Sequence, residues 1–467
     1  MKPIAILGAG LAGLTAAREL RAKGLPVVVL EAGGVIGGLA ASFKDPEGFS
    51  YDFGAHFISN RLAGALGAAA ECRTVRHYGE AVMVGGRFRN YPLGLALEPR
   101  FAISAMKGLS LRSGKAASAA ELFRNRFGAT LADEVAIPIA EAWSGAPAAE
   151  LAPSVGDKFG SGIARSLYLN IASRVTHRAV CNGYSHEMAE NAGVYHVYPE
   201  GGLSKLLEPT VAAVSSAIRL SSPVEKIMVR KGRVAAVRVR GEEMPVSAVV
   251  STAPVNVLPR LVEGTDALAH MAAFRYRPMT FVNLRFAARN ILPDTLLWVP
   301  DRSQRFFRIA EAPISMPWLA PEGKTLLTYD LGCEMGDEIW TMSDADLAEL
   351  CLEGTCRIFG NDLRRHFIGH GGTLRTPNAY PVYLSRYEED RQRFARSTGV
   401  DGLYSIGRHG EFAHILMEDI HWRTLKRMRE VEAYVRGVPE DENDGVNIAG
   451  LATQVAEMMS PRSAVSH

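Results

Sequence analysis

Ile4-Ala5-Ile6-Leu7-Gly8-Ala9-Gly10-Leu11-Ala12-Gly13, continued by Leu14 to Ala22 and by Val27-Val28-Val29-Leu30-Glu31, is the stretch whose reading decides the fold. An unbroken apolar run without polar alternation marks a strand buried on both faces, as in a parallel sheet covered by helices. Two such runs flank apolar positions at helical spacing, so the segment reads strand, tight turn, helix, strand. With 45 glycines in 467 residues, a G-x-G-x-x-G string arises by chance ~0.4 times per chain, so context has to carry it. In that context Gly8 permits the turn, Gly10 lets backbone approach a pyrophosphate, and Gly13 lets helix and strand pack closely. Leu11 and Ala12 open the helix, whose free N–H groups and positive dipole end suit phosphate. Glu31 ends the second strand 18 residues after Gly13, where a carboxylate accepts the ribose hydroxyls of an adenosine and repels a 2′-phosphate. NADP is thereby disfavoured, and the plainer alternative for Glu31 is a strand cap.

Composition bounds the rest. At roughly 150 residues per domain the chain makes about three units or two large interleaved ones. Hydrophobic residues at 47% and charged residues at 22% supply a sizeable core. Lys+Arg 52 against Asp+Glu 50 leaves no electrostatic surplus for a nucleic-acid backbone. Cys72, Cys181, Cys333, Cys351 and Cys356 contain no C-x-x-C pair, which fits a reducing cytoplasm better than a disulfide framework or a zinc site, and no Cys/His cluster suggests a metal. The longest uncharged stretch, Met244 to Pro259, carries three prolines and falls short of the about 18 apolar residues a spanning helix needs, so no integral membrane association is expected.

Further along, Gly64 to Gly145 has a helical texture with few strand-like runs after Val82-Met83-Val84, and a mostly helical insertion is expected. Strand signals return at Val224 to Val229, Val234 to Val239 and Val246 to Ser251, with Lys231-Gly232 as a turn; this block is assigned to the nucleotide domain. Phe274 to Phe286 and Tyr329-Asp330-Leu331 suggest more strands, and Ser343 to Phe359 a helix capped by Ser343. Leu403 to Ile406 reads as a final strand before a helix from about Met417 to Arg436, and Ile448 to Met459 as a short helix in the tail.

After Glu31 comes Ala32-Gly33-Gly34-Val35-Ile36-Gly37-Gly38-Leu39, and a glycine pair six residues past the acid resembles the flavoprotein superfamily of amine oxidases, protoporphyrinogen oxidases, phytoene desaturases and UDP-galactopyranose mutases. Gly33 and Val35 stand where many members carry arginines. Four further segments extend the resemblance. Tyr51-Asp52-Phe53-Gly54-Ala55-His56 is similar to a histidine loop that lies against the isoalloxazine, and Tyr198-Pro199-Glu200-Gly201-Gly202 to a Y-P-x-G-G turn. Val224 matches a strand valine whose backbone meets the adenine, with Ser251-Thr252-Ala253-Pro254 as the strand-end turn that follows. Gly407-Arg408 through Met417 is similar to the C-terminal flavin signature of the mutases, in which glycine and arginine serve a diphosphate and backbone near the methionine meets the flavin.

The resemblance implies FAD, bound by Gly8, Gly10, Leu11, Ala12, Gly13, Glu31, Ala32, Gly37, Gly38, Leu39, Gly54, Ala55, His56, Val224, Gly407, Arg408 and Met417, with His56 also the catalytic candidate. From residues alone His56 fits a hydrogen-bonded core histidine equally well, and Arg408 a surface salt bridge. The implied fold class is α/β, a Rossmann-like, glutathione reductase-like FAD-binding domain with an interleaved α+β substrate domain. The expected division is 1–75, 195–255 and 395–436 for FAD, 76–194 and 256–394 for a small-molecule substrate, and 437–467 as tail.

The expected activity is FAD-dependent oxidation of the protoporphyrinogen oxidase or amine oxidase type, with hydride passing from substrate to flavin N5. The alternative is a redox-neutral sugar mutase or isomerase. Against it, Phe412 and His414 stand where the mutase signature has tyrosines that bind the substrate diphosphate, and Leu416 replaces its aspartate. A third class, the prenyl-GTPase escort proteins of the same fold, is opposed by the intact glycines, Glu31 and Gly407-Arg408. Trp143, Tyr168, Tyr184, Tyr195, Trp298, Tyr380 and Tyr383 are candidates for the substrate wall, with core packing an equal alternative for each.

Overall fold

The computed structural model describes residues 1–109, 116–158 and 163–438. β1 (Ile4–Leu7), α1 (Leu11–Ala22) and β2 (Val27–Leu30) form the opening unit, and every residue of β1 is buried. β1 pairs on one side with β2 and on the other with Ala248–Ser251, in register from Ile4 opposite both Val27 and Ala248. Ile218–Arg219 joins the outer edge of β2, and Leu403–Ser405 the outer edge of Ala248–Ser251. The result is a five-stranded, wholly parallel sheet built from four remote stretches of chain. Ala248–Ser251 is buried throughout, as its Val249-Val250 pair requires of a strand covered on both faces.

The helix Met417–Arg436 packs along α1, with Thr15 Oγ1 3.3 Å from His421 Nδ1. Its first-turn acid Glu418 is buried and accepts from Ser59 Oγ (2.7 Å), Trp422 Nε1 (3.2 Å) and Arg61 Nε. The neighbouring Asp419 accepts from Ser185 Oγ at 2.6 Å and from the backbone of His186. Both carboxylates complement the positive helix end while tying it to two distant loops.

A second sheet runs Glu242–Pro245, Arg233–Val239, Val224–Arg230, Val262–Glu263. Lys231 and Gly232 both take positive φ, 55° and 76°, the pair a two-residue hairpin turn demands. The strand expected over Val246 to Ser251 is present and begins two residues later, at Ala248. Glu242–Pro245 pairs antiparallel with Arg233–Val239, and only Ala248–Ser251 enters the parallel sheet. Val246 N still donates to Ala235 O at 3.2 Å and Ser247 N already donates to Pro3 O at 3.0 Å, so the chain passes from one sheet to the other across these two residues.

The largest sheet has seven strands in the order Phe367–Pro381, Tyr276–Phe286, Thr325–Gly332, Arg308–Ala310, Leu296–Trp298, Glu80–Val84, Arg87–Tyr91. The insertion expected to be mostly helical from Gly64 therefore carries, after the short strand Cys72–Thr74, a hairpin turned at Gly85 and Gly86 with φ of 56° and 71°. Its longer helices are Pro99–Leu109, Ala119–Phe127 and Ile137–Ser144, and Ile163–Thr176 follows them. Phe367–Pro381, 15 residues long, gave no strand signal because Gly369-His370-Gly371-Gly372 interrupts its apolar pattern and its pairing slips at three points. The helix after Ser343 spans Asp344–Phe359, and Ser343 Oγ accepts from Asp346 N at 3.1 Å. The helix expected near Ile448 to Met459 lies outside the described residues.

A Cβ on Gly13 would sit 2.0 Å from the carbonyl oxygen of Gly8, backbone that cannot yield without separating α1 from β1. Gly13→Ala is expected to lower stability by about 1 to 3 kcal/mol, the usual range for overpacking. An unfolding midpoint in denaturant equal to that of the parent would refute the close approach.

Candidate functional site

A cavity of about 2510 Å³ opens at the carboxyl ends of the parallel strands and runs beneath the helical insertion to the seven-stranded sheet. Of the residues expected in a site, Gly8, Gly10, Leu11, Ala12, Glu31, Ala32, Gly37, Gly38, Leu39, Ala55, His56, Gly407, Arg408 and Met417 line it. Gly13, Gly54 and Val224 are not on its wall. Gly13 is spent on helix–strand packing, and Gly54, at φ 79°, passes under Phe281, whose ring a Cβ would meet at 2.9 Å. Val224 opens the antiparallel hairpin, half-buried against its core. The turn before it does reach the Glu31 loop, since Ser221 N and Ser222 N donate to Gly33 O and Glu31 O, each at 2.8 Å.

The loop after β1 is held from three sides. Gly8, at φ 100°, donates to Leu30 O at 2.9 Å, and a Cβ there would meet Thr252 Oγ1 at 2.2 Å. Gly37 N donates to Ala9 O at 3.0 Å, which lays the glycine pair against the loop. Glu31 accepts from Ala9 N with Oε2 and from Gly33 N with Oε1, both at 2.7 Å. Each carboxylate oxygen keeps a further lone pair, so capping the loop and receiving a ligand hydroxyl are compatible. Gly10 is the N-cap of α1 and brings no side-chain acceptor, leaving the first-turn N–H groups to whatever enters the cavity. Gly407, at φ 79°, closes over this turn; its Cβ would lie 2.8 Å from that of Ala12.

His56 Nδ1 is 3.3 Å from Gly54 O and 3.9 Å from Asp52 Oδ2. Burial pushes its pKa down and Arg408 and Arg308 reinforce that, against Asp52. The ring is neutral at pH 7, and a proton on Nδ1 facing the carbonyl leaves Nε2 as the acceptor. Asp52 is itself anchored by Ser42 Oγ (2.6 Å) and Tyr198 OH (2.5 Å), while burial raises its pKa. Ser42 and Ser204 exchange backbone-to-hydroxyl bonds of 2.8 and 3.1 Å, so the Tyr198 to Gly202 turn docks onto the histidine loop and orients it.

Arg408 donates Nε to Ala379 O and Nη1 to Ile415 O, both at 3.2 Å, with its guanidinium 5.0 Å above the Tyr380 ring. It forms no ion pair among the described residues, so the salt-bridge alternative does not describe it. Burial, with a contribution from Arg308, lowers its pKa. Arg308 was missed by sequence reasoning; one arginine in a short apolar strand carries no motif. It pairs with Asp330 at 2.5 Å and covers Trp298 at 5.2 Å. Glu80 accepts from Tyr78 OH (2.5 Å) and Trp298 Nε1 (2.6 Å), closing a polar cluster on the same wall.

Trp143, Tyr184, Trp298, Tyr380 and Tyr383 line the cavity, whereas Tyr168 and Tyr195 do not. Phe412 is fully buried among Phe274, Tyr276, Tyr383 and Tyr387, and His414 and Leu416 face the cavity. Among the described residues no group of three His, Cys, Asp or Glu side chains is poised to hold a metal.

Comparison with known proteins adds the following. Residues 6–66 match the model of an NAD(P)-binding Rossmann-like domain, and residues 111–419 that of the flavin containing amine oxidoreductases. The solved structure of a reduced UDP-galactopyranose mutase superposes with a TM-score of 0.75 at 18% identity, over 97% of this chain and 99% of that one. Putrescine oxidase bound to putrescine superposes with a TM-score of 0.62 at 14% identity, over 92% and 99%. Cyclohexylamine oxidase from Brevibacterium oxydans gives 0.64 at 14% identity, over 93% and 99%. A flavin-containing monooxygenase of Arabidopsis thaliana is 55% identical over 51 residues; the match spans 10% of this chain and 11% of the length of that curated relative.

Three buried histidines give the molecule an acid threshold. Burial lowers His196, enclosed by Phe57, Tyr78 and Tyr184, to about 4, His409 to about 4 and His421 to about 3. Between those values and the ordinary 6.5 the unfolded chain binds more protons than the folded one, so stability is complete above the ordinary value and falls as pH drops. The urea midpoint is expected to decline between pH 6.5 and about 4, and His196→Phe to flatten that slope; an equal slope in the variant would show that His196 already titrates normally.

Proposed function

The chain belongs to the flavin-containing amine oxidoreductase family and is an FAD enzyme, and from that premise we propose that it oxidises an organic small molecule bound beneath its helical insertion. The observation that carries this reading is the convergence of the Gly8 loop, Glu31, the Gly37-Gly38 pair, His56 and Gly407-Arg408, remote in sequence, on one cavity. The residues fit an anionic dinucleotide. The uncapped first turn of α1 offers N–H donors, and Arg408 is a half-buried cation without a carboxylate partner among the described residues.

We assign Gly8, Gly10, Leu11, Ala12 and Gly37 to Leu39 to the cofactor's diphosphate side, Glu31 and Ala32 to its ribose, and Ala55, His56, Gly407, Arg408 and Met417 to the portion nearest the substrate. Residues 1–75, 195–255 and 395–436 then act as the cofactor domain, and 76–194 with 256–394 as the substrate domain. FAD bound there supplies a two-electron acceptor for a hydride leaving carbon next to nitrogen, oxygen or an extended π system. The protein's share is binding, orientation and exclusion of water. His56 offers Nε2 as a hydrogen-bond acceptor or proton relay, its tautomer fixed by Gly54 O and by the Asp52–Tyr198–Ser42 network. The apolar insertion residues Leu131, Val135, Ile139 and Trp143 bound the substrate space and keep it dry.

The purified protein is expected to be yellow and to be bleached anaerobically by its substrate, then restored by an electron acceptor. Glu31→Ala should weaken FAD binding by about 1.5 to 3 kcal/mol through loss of a charge-assisted bond, read as a change in dissociation constant. His56→Ala should slow anaerobic reduction far more than it weakens FAD. Dithionite-reduced protein should not interconvert UDP-galactopyranose and UDP-galactofuranose, because Phe412 is committed to packing and His414 and Leu416 replace the expected donors and acid. Robust interconversion would overturn the oxidase reading in favour of the redox-neutral one.

A further inference from the structure

The helix Ile163–Thr176 presents two unlike faces. Ser166 and Leu169 are buried and, with Asn170 and Ser173, form part of the cavity wall, where Arg165, paired with Glu190 at 3.5 Å, and the exposed Arg174 and His177 also stand. Outward it shows Leu167, Ile171 and Val175, spaced i, i+4, i+8, with Tyr168 beside them, exposed by 49%, 53%, 74% and 56%. Large apolar side chains aligned on one outer face are not the scattered exposures ordinary to a soluble surface. Residues 163–178 contain Arg165, Arg174, His177 and Arg178 and no acid at all.

We propose that this stripe rests in the plane of an anionic lipid surface, with Arg174 and Arg178 at its C-terminal end toward the headgroups. An apolar arc flanked by basic residues is the signature of an interfacial helix, and no described helix is long and apolar enough to cross a membrane, so the contact lies in the plane. The charge pattern selects lipid over a second copy of the chain. A twofold interface on this stripe would bring two acid-free basic segments into one contact, with no carboxylate on either segment to pair Arg174 or Arg178. The same helix is the partition between the outer face and the cavity, so docking sets the substrate chamber beside the bilayer and favours an amphiphilic substrate that partitions into it.

The test pellets the holoprotein with vesicles of phosphatidylcholine alone or mixed with phosphatidylglycerol, and measures its oligomeric state by light scattering. Wild type should pellet with the mixed vesicles, less so in high salt, and poorly with phosphatidylcholine alone. The triple variant Leu167→Ser, Ile171→Ser, Val175→Ser and the double variant Arg174→Glu, Arg178→Glu should each reduce pelleting by about tenfold or more while keeping flavin absorbance and elution volume. Absence of wild-type pelleting, or pelleting unchanged in both variants, would overturn the proposal. A triple variant that converts a dimer to a monomer without altering vesicle binding would overturn it too, and would make the stripe a subunit contact.

Discussion

The approach of four pieces of backbone at the carboxyl ends of β1 and Ala248–Ser251 is the constraint on which the rest of the molecule depends. Gly8 leaves no room for a side chain against Thr252, Gly13 none against Gly8, and Gly407 none against Ala12. β1 lies between β2 on one side and Ala248–Ser251 on the other, so the chain reverses its direction of travel across the sheet at that point. Open parallel sheets bind ligands in the crevice such a reversal creates. Here Thr252 Oγ1 ties the crevice shut at the bottom through Leu7 O at 2.7 Å, so that the α1 N-terminus and Gly407 meet above it. The position of the cavity follows from the glycines rather than from any catalytic side chain.

This explains what could be read in the sequence. Where a residue type is demanded by backbone geometry, as at Gly8, Gly13 and the Lys231-Gly232 turn, local pattern suffices. The buried strands Ile4–Leu7 and Val27–Leu30 and the capped helix Asp344–Phe359 are legible for the same reason. Illegible were features fixed by partners far along the chain. Phe367–Pro381 is a strand because Tyr276–Phe286 gives it a ladder across slipped register, which its own glycine-rich sequence cannot announce. Arg308 belongs to the cavity because Asp330 on the neighbouring strand and Trp298 on the other side hold it there. Val224 illustrates the converse, a motif position whose segment lies near the Glu31 loop although its side chain packs into a hairpin core.

The electrostatics around His56 rest on a neutral base set beside one compensated and one uncompensated arginine. Arg308 is compensated by Asp330, and Asp52 is held by two hydroxyls, its pKa raised by burial. His56, between them, loses its charge to burial and to the two arginines, and Arg408 beside it is a cation without a carboxylate partner among the described residues. A neutral imidazole suits a site where hydride leaves carbon, since a fixed imidazolium would add a second unmatched charge in a low-dielectric space. The Tyr198 to Gly202 turn enters here as structure: remove its contact with Ser42 and Asp52 and the histidine loop has no external reference.

Under the proposed function, grip on cofactor and choice of substrate are separated within a single loop. Phe412 adopts φ 49°, a strained setting for a bulky residue, and is kept there by Phe274, Tyr276, Tyr383 and Tyr387. The reversal is clasped by Ala413 N to Arg408 O at 3.0 Å and by His414 N to Tyr383 OH at 2.6 Å. With Phe412 turned inward, Gly407 and Arg408 before it and His414 to Met417 after it all face the cavity. A tyrosine at 412 would have to bury its hydroxyl in that aromatic cluster, at about 1 to 3 kcal/mol if unpaired. The packing therefore selects against the donor itself, and under the proposed function substrate recognition would fall to the cavity wall made by Tyr380, Trp143, Arg308 and the helical insertion.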